Sequence, residues 1–178
     1  KSSDGIVWTN NSLNNSQYFN CIAWSPELGM FAVGSDDGYV ETSVNGSTWV
    51  DRGCLTTGSH DIRGMAWSSP LSMFVGVCDA GEIITSTNGI AWTHKTVTTA
   101  NLCGVCWSDE LNLFVAVGDI VGTGGCVTSP DGINWTTRNL PSSTKSWKAV
   151  TWSPELGMFM AVGYAGSDTM YSYDGIVW

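Results

Sequence analysis

The sequence predicts an all-β fold, a β-propeller of four-stranded antiparallel blades. Three observations carry this: two short motifs alternate along the chain, strand-length apolar runs separate them, and no 3.6-residue apolar period occurs anywhere. The first motif, Ser-x-Asp/Asn-Gly-x-x-Trp (the box), occurs five times, at Ser2–Trp8, Ser43–Trp49, Ser86–Trp92, Ser129–Trp135 and Ser172–Trp178. The second, Trp-Ser-x-x-Leu-x-x-Phe, occurs four times between them, from Trp24, Trp67, Trp107 and Trp152. The repeat is about 43 residues long.

Each repeat divides into four short strands. The first ends at the Trp of the second motif (CIAW, GMAW, GVCW, AVTW), and a Ser-x-x-Leu turn follows. The second begins at the Phe, and the third runs into the box Ser. Asp-Gly or Asn-Gly then makes a hairpin turn, and the fourth strand is expected to carry the box Trp. On the first strand, Cys21, Gly64, Gly104 and Ala149 are small, as are Ala23 and Ala66. Larger Ile22, Met65, Val105 and Val150 face the other way, which suits an innermost strand where blades crowd. The Trp and Phe residues are expected to fill the space between blades.

The chain is read as a single propeller domain, 1–178, with blades at 9–49, 50–92, 93–135 and 136–178. Residues 1–8 are read as one extra outer strand that closes the ring or belongs to a preceding blade. Copies could therefore associate as an oligomer or larger assembly.

Composition agrees with short strands and tight turns: charged residues are 13%, with 21 Gly and 10 Trp. A net charge of −9 with seven Lys and Arg argues against phosphate-backbone binding, so no nucleic acid partner is expected. No apolar run reaches the roughly 20 residues of a membrane span, and no signal peptide is visible. Six cysteines lie mostly within apolar strand runs, where a free thiol packs as a small hydrophobe. Cys103 and Cys106 form a lone CxxC on an expected strand, where the two side chains point to opposite faces, so no metal site is expected.

The boxes resemble a shortened variant of the Asp-box, the BNR-type repeat of sialidase-like propellers, and the resemblance covers essentially the whole chain. The family pattern has one more residue between Asp and Gly. Such repeats occur in bacterial surface proteins and in phage or viral structural proteins, which implies an extracellular, virion or cell-surface location. The resemblance also implies that Asp4, Asn45, Asn88, Asp131 and Asp174 are turn-makers remote from the active face, with Trp8, Trp24, Trp49, Trp67, Trp92, Trp107, Trp135, Trp152 and Trp178 as structural repeat positions. A sialidase needs several converging arginines, and only Arg52, Arg63 and Arg138 exist. No hydrolase motif is present, so no catalytic residue and no cofactor is expected.

Spacing locates a binding face. Both motif turns have constant length and lie at one end of the propeller. At the other end, Phe to box Ser spans 12, 12, 15 and 13 residues, and box Trp to the next Trp spans 16, 18, 15 and 17. Variable loops on a rigid scaffold are where binding usually resides. Asp36, Asp79, Asp119 and Tyr164 share one register there, with Asp37 and Asp168 nearby. Asn20, Arg63, Cys103 and Lys148 share another, at the mouth of the central channel. Tyr18, His60, Arg138 and Trp147 lie on the linkers, Trp147 as a packed residue or a stacking platform. The expectation is a non-catalytic module that binds a glycan or a protein surface receptor through this face, with a structural module docking protein partners as the alternative and a glycosidase-like domain more remote.

Overall fold

The computed structural model describes residues 1–178 except 15, 120–124, 142–144 and 165–167. It is an all-β propeller arc of four antiparallel sheets. Blade 1 holds β1 (Phe19–Ser25), β2 (Met30–Ser35), β3 (Tyr39–Ser43) and β4 (Val50–Cys54). Blade 2 holds β5 (Ile62–Ser68), β6 (Met73–Cys78), β7 (Glu82–Ser86) and β8 (Thr93–Thr96). Blade 3 holds β9 (Leu102–Ser108), β10 (Leu113–Gly118), β11 (Cys126–Ser129) and β12 (Thr136–Thr137). Blade 4 holds β13 (Trp147–Ser153), β14 (Met158–Gly163) and β15 (Thr169–Ser172). Strand order follows chain order within every blade.

Both motifs are turns closed by side chains. In the first, the hydroxyls of Ser25, Ser68, Ser108 and Ser153 accept the N–H of the Leu three residues on, at 3.1–3.3 Å. In the box, the Ser hydroxyl accepts the Gly N–H at 2.8–2.9 Å in all five copies. The Asn or Asp two residues on folds back likewise: Asn45 Oδ1 accepts Ser47 and Thr48 N–H, and Asp131 Oδ1 accepts Ile133 and Asn134 N–H, at 2.7–2.9 Å. Local bonds of this kind are why Ser, Asn and Asp make turns. The glycine that follows takes φ of 65–75° in all five boxes, a conformation that a Cβ disfavours.

The inner strands β1, β5, β9 and β13 pack in sequence. A Cβ on Gly64 would lie 3.1 Å from the Gly104 Cα, and one on Gly104 only 2.9 Å from the Ala149 Cα, so small residues are what permits this approach. Three apolar cores fill the spaces between adjacent blades. Ala32 and Val40 meet Met65, Phe74 and Ile84; Val75 and Val77 meet Phe114 and Val127; Val115 and Val117 meet Val150, Phe159 and Ala161. In each blade the inner Trp lies 4.4–4.6 Å from the Phe opposite it. Phe74, Phe114 and Phe159 are wholly buried, each stabilising the fold by roughly 1.5–3 kcal/mol through area removed from water.

The outer strands differ from expectation. The fourth strand does not carry the box Trp but starts just after it, so the hydrogen-bonded blades run past the box to Cys54, Thr96 and Thr137. Trp8, Trp135 and Trp178 each turn their Nε1–H back onto the box Gly carbonyl at 3.0–3.2 Å, whereas Trp92, before an equally late fourth strand, has a buried Nε1 without that bond. Ser2–Trp8 therefore forms a box turn and no outer strand, and its apolar residues are exposed. Among the described residues blade 4 has three strands, and β15 is its outer edge.

Candidate functional site

The main chain of the loop end is built alike in every blade. The N–H of the first residue after β2, β6 and β10 (Asp36, Asp79 and Asp119), and that of Tyr164 after β14, donates to a linker carbonyl. The acceptors are Tyr18, Asp61, Asn101 and Ser146, at 2.8–3.1 Å. Each inner strand also carries a one-residue irregularity against its neighbour: between Phe19 and Cys21, between Ile62 and Gly64, opposite Val117 and Gly118, and between Trp147 and Ala149. The residues left out of the pairing are Asn20, Arg63, Cys103 and Lys148. A bulge re-aims a side chain, and here it turns the inner-strand entry residues toward the loops.

The two registers thus meet as pairs within each blade. Asn20 Nδ2 donates to Asp36 Oδ1 at 2.5 Å. Arg63 grips Asp79 through two nitrogens, with Nη2 at 2.8 Å, and reaches Asp61 at 3.3 Å. The Asp79 hydrogen bond, followed by the charges of Asp79 and Asp61, pushes the Arg63 pKa upward. In blade 3, burial and then the Asp119 charge push the Cys103 thiol above its ordinary value. In blade 4, Lys148 Nζ stands 5.2 Å from the Tyr164 ring centroid, a cation–π contact. Asp168 accepts from Lys145 at 2.6 Å.

Adjacent blades are tied at this rim by residues that sequence reasoning did not single out. Asp61 Oδ1 accepts the Asp37 N–H at 3.3 Å, linking blades 1 and 2. Asn101 Oδ1 accepts the Ala80 N–H at 2.9 Å, linking blades 2 and 3. Asp61 and Asn101 share a repeat position, six before the inner Trp, and that alignment is the signal that could have found them. Glu82, buried below the rim, accepts from Thr57 N–H at 3.0 Å and lies 3.2 Å from His60 Nδ1.

Of the two settings open to Trp147 the structure shows the packed one: at 3% exposure it belongs to the core between blades 3 and 4 and is no stacking platform for a ligand. Tyr18 and Tyr164 are exposed at 80% and 71%. No cluster of metal-ligating side chains occurs among the described residues. All six thiols are free; burial pushes those of Cys21 and Cys126 up to about 12, and Cys54 is exposed.

No protein-family model and no curated protein matches the chain. Solved structures of propellers do. The chain is similar to YCF48 bound to D1 peptide, at TM-score 0.70 and 13% identity, covering 93% of this chain and 55% of that one. A chain of the mitotic checkpoint complex matches at TM-score 0.62 and 16% identity, over 82% of this chain and 44% of that one. The computationally designed Ika4 protein matches at TM-score 0.68 and 10% identity, over 94% of this chain and 99% of that one. The chain thus spans about half the length of the two natural propellers.

Proposed function

We propose that this chain is a non-catalytic recognition module whose loop-end rim takes an exposed segment of a protein partner or surface receptor. The observation that carries the reading is the contrast within the rim. Its main chain is held alike in all four blades, while its side-chain pairs differ from blade to blade. A repeated frame bearing unlike side chains presents an asymmetric surface, which selective recognition needs. The YCF48 neighbour has a bound peptide and the checkpoint neighbour sits in a protein complex, and both support a protein ligand. A non-catalytic role is supported by Asp36 and Asp79, which are each held by a neighbour in their own blade.

A glycan is the second reading, favoured by the exposed Tyr18 and Tyr164 rings beside amide and carboxylate groups. Display on a virion, phage tail or cell surface belongs to this reading, as does kinship with Asp-box propellers, supported by the five alike box turns. Panning the purified chain against a random peptide library, with a glycan array in parallel, tests both. Peptides whose binding is lost in Arg63→Ala or Lys148→Ala support the protein reading. Array signals lost in Tyr164→Ala support the glycan reading, and silence in both contradicts rim recognition.

A further inference from the structure

The chain contains two Asn-Gly pairs, Asn45-Gly46 and Asn88-Gly89, and both stand in boxes. Asn-Gly is the dipeptide most open to spontaneous deamidation, because glycine puts no Cβ in the way of its own main-chain nitrogen. That nitrogen gives up its proton and attacks the Asn Cγ. The N–Cγ bond forms, the Cγ–Nδ2 bond breaks, ammonia leaves, and a succinimide ring remains. Water then opens the ring at one carbonyl to give Asp, or at the other to give isoaspartate. The sequence needs no oxidant, metal or enzyme.

Burial does not shield these two side chains, since Asn45 and Asn88 are both exposed. Hydrogen bonding shields them instead. The attacking nitrogen is occupied in both copies: Gly46 N–H donates to Ser43 Oγ, and Gly89 N–H to Ser86 Oγ, each at 2.9 Å. The amide to be attacked is held as well. Asn45 Oδ1 accepts Ser47 and Thr48 N–H, both at 2.8 Å, and Asn88 Oδ1 accepts Ile90 and Ala91 N–H at 2.8 and 2.9 Å. Ring closure consumes the Gly N–H, so the bond to Ser cannot survive it. A carboxamide oxygen fixed by two amides also leaves the side chain little freedom to meet that nitrogen. Cyclisation must wait for the box to open.

The two products fit the box differently. Asp restores a turn that the chain already uses: Asp131 and Asp174 make the same pair of bonds at 2.7–2.9 Å, and Ser129 and Ser172 hold the Gly N–H at 2.8 Å. Isoaspartate runs the main chain through Cγ and adds a methylene between the Ser and the Gly that its hydroxyl must reach. At the second pair the misfit meets packing too, because Gly89 is buried and lies against Met30 and Phe74.

We propose that Asn45 and Asn88 are latent modification sites: the formed box keeps each as an amide, and each is deamidated when its own box opens. Turns open locally without the rest of a fold. The two sites therefore age independently, each recording the openings of one turn.

The test keeps the chain 1–178 in mildly alkaline buffer and follows both sites by peptide mapping that separates Asn, Asp and isoaspartate. Both pairs should convert in native buffer about tenfold or more slowly than in denaturing urea, since opening the turn gives up the bonds it holds. Ser43→Ala, held well below its own melt, should speed Asn45 by about tenfold and leave Asn88 at its native rate. Ser86→Ala should do the reverse, so each variant carries the other site as its internal reference. Conversion in native buffer as fast as in urea would overturn the proposal without any variant. An unchanged rate at Asn45 in folded Ser43→Ala, or equal speeding of both sites in either folded variant, would overturn it as well.

Discussion

At the box end, Ser43, Ser86, Ser129 and Ser172 make the same bond to the same glycine position, and the Asn or Asp two residues on makes the same pair of bonds beyond it. At the loop end, the same four blades present Asn20 on Asp36, Arg63 on Asp79, Cys103 near Asp119 and Lys148 over Tyr164. One end repeats its side-chain hydrogen bonds and the other only its main-chain bonds. Folding needs a turn that works in every copy, so the turn chemistry repeats. Recognition needs unlike groups at fixed places, so only the frame repeats there. The two ends should accordingly fail in different ways when altered.

The largest effect is expected beneath the box end. Phe114→Ala removes a wholly buried ring between blades 2 and 3 and should cost about 3–5 kcal/mol in urea unfolding. Phe31→Ala, in a blade whose face is open, should cost distinctly less. Ser129→Ala leaves the buried Gly132 N–H without its acceptor and should cost about 1–3 kcal/mol by the same assay.

Acid should separate the boxes from one another. For Asp131, burial works against the charged form but is outweighed by N–H bonds from Asn134 and Ile133, so its pKa falls below the ordinary carboxylate value. N–H bonds from Val177 and Ile176 lower that of Asp174. The resulting stabilisation is complete above about pH 4, the unfolded value, and is lost as pH falls through the lower folded values. Asn45 and Asn88 make equivalent bonds without titrating. Asp131→Asn with Asp174→Asn should therefore flatten the acid limb of a urea-midpoint profile between pH 7 and about pH 2.

The smallest stability effect is expected at the rim. Arg63 and Asp79 are 32% and 21% exposed, so Arg63→Ala should change stability by about 1 kcal/mol or less in thermal unfolding.

The box end was legible because its side chains bond to their own neighbours in sequence, so constant spacing reports constant geometry. The small inner-strand positions were legible for a similar reason, as Gly64 and Gly104 answer to contact between adjacent copies. The rim was legible only as two registers. What brings Asn20 to Asp36 and Arg63 to Asp79 is the bulge, and a bulge depends on pairing with the second strand rather than on local residue type. Trp147 stayed divided between core and platform because an apolar linker residue reads alike in both settings until its packing is known. The late start of the fourth strand was hidden because an apolar Trp at the boundary reads alike as the last residue of the turn or the first of the strand.

The division between the two ends is tested most directly by titrating one panned peptide into two variants side by side, with a thermal melt of each. Arg63→Ala combined with Lys148→Ala should weaken binding by about tenfold or more while the melting temperature stays near that of the unaltered chain. Ser129→Ala, measured well below its own melt, should bind with unchanged affinity and melt at a lower temperature. Unchanged binding in the rim variant, or lost binding in the folded box variant, would contradict the account.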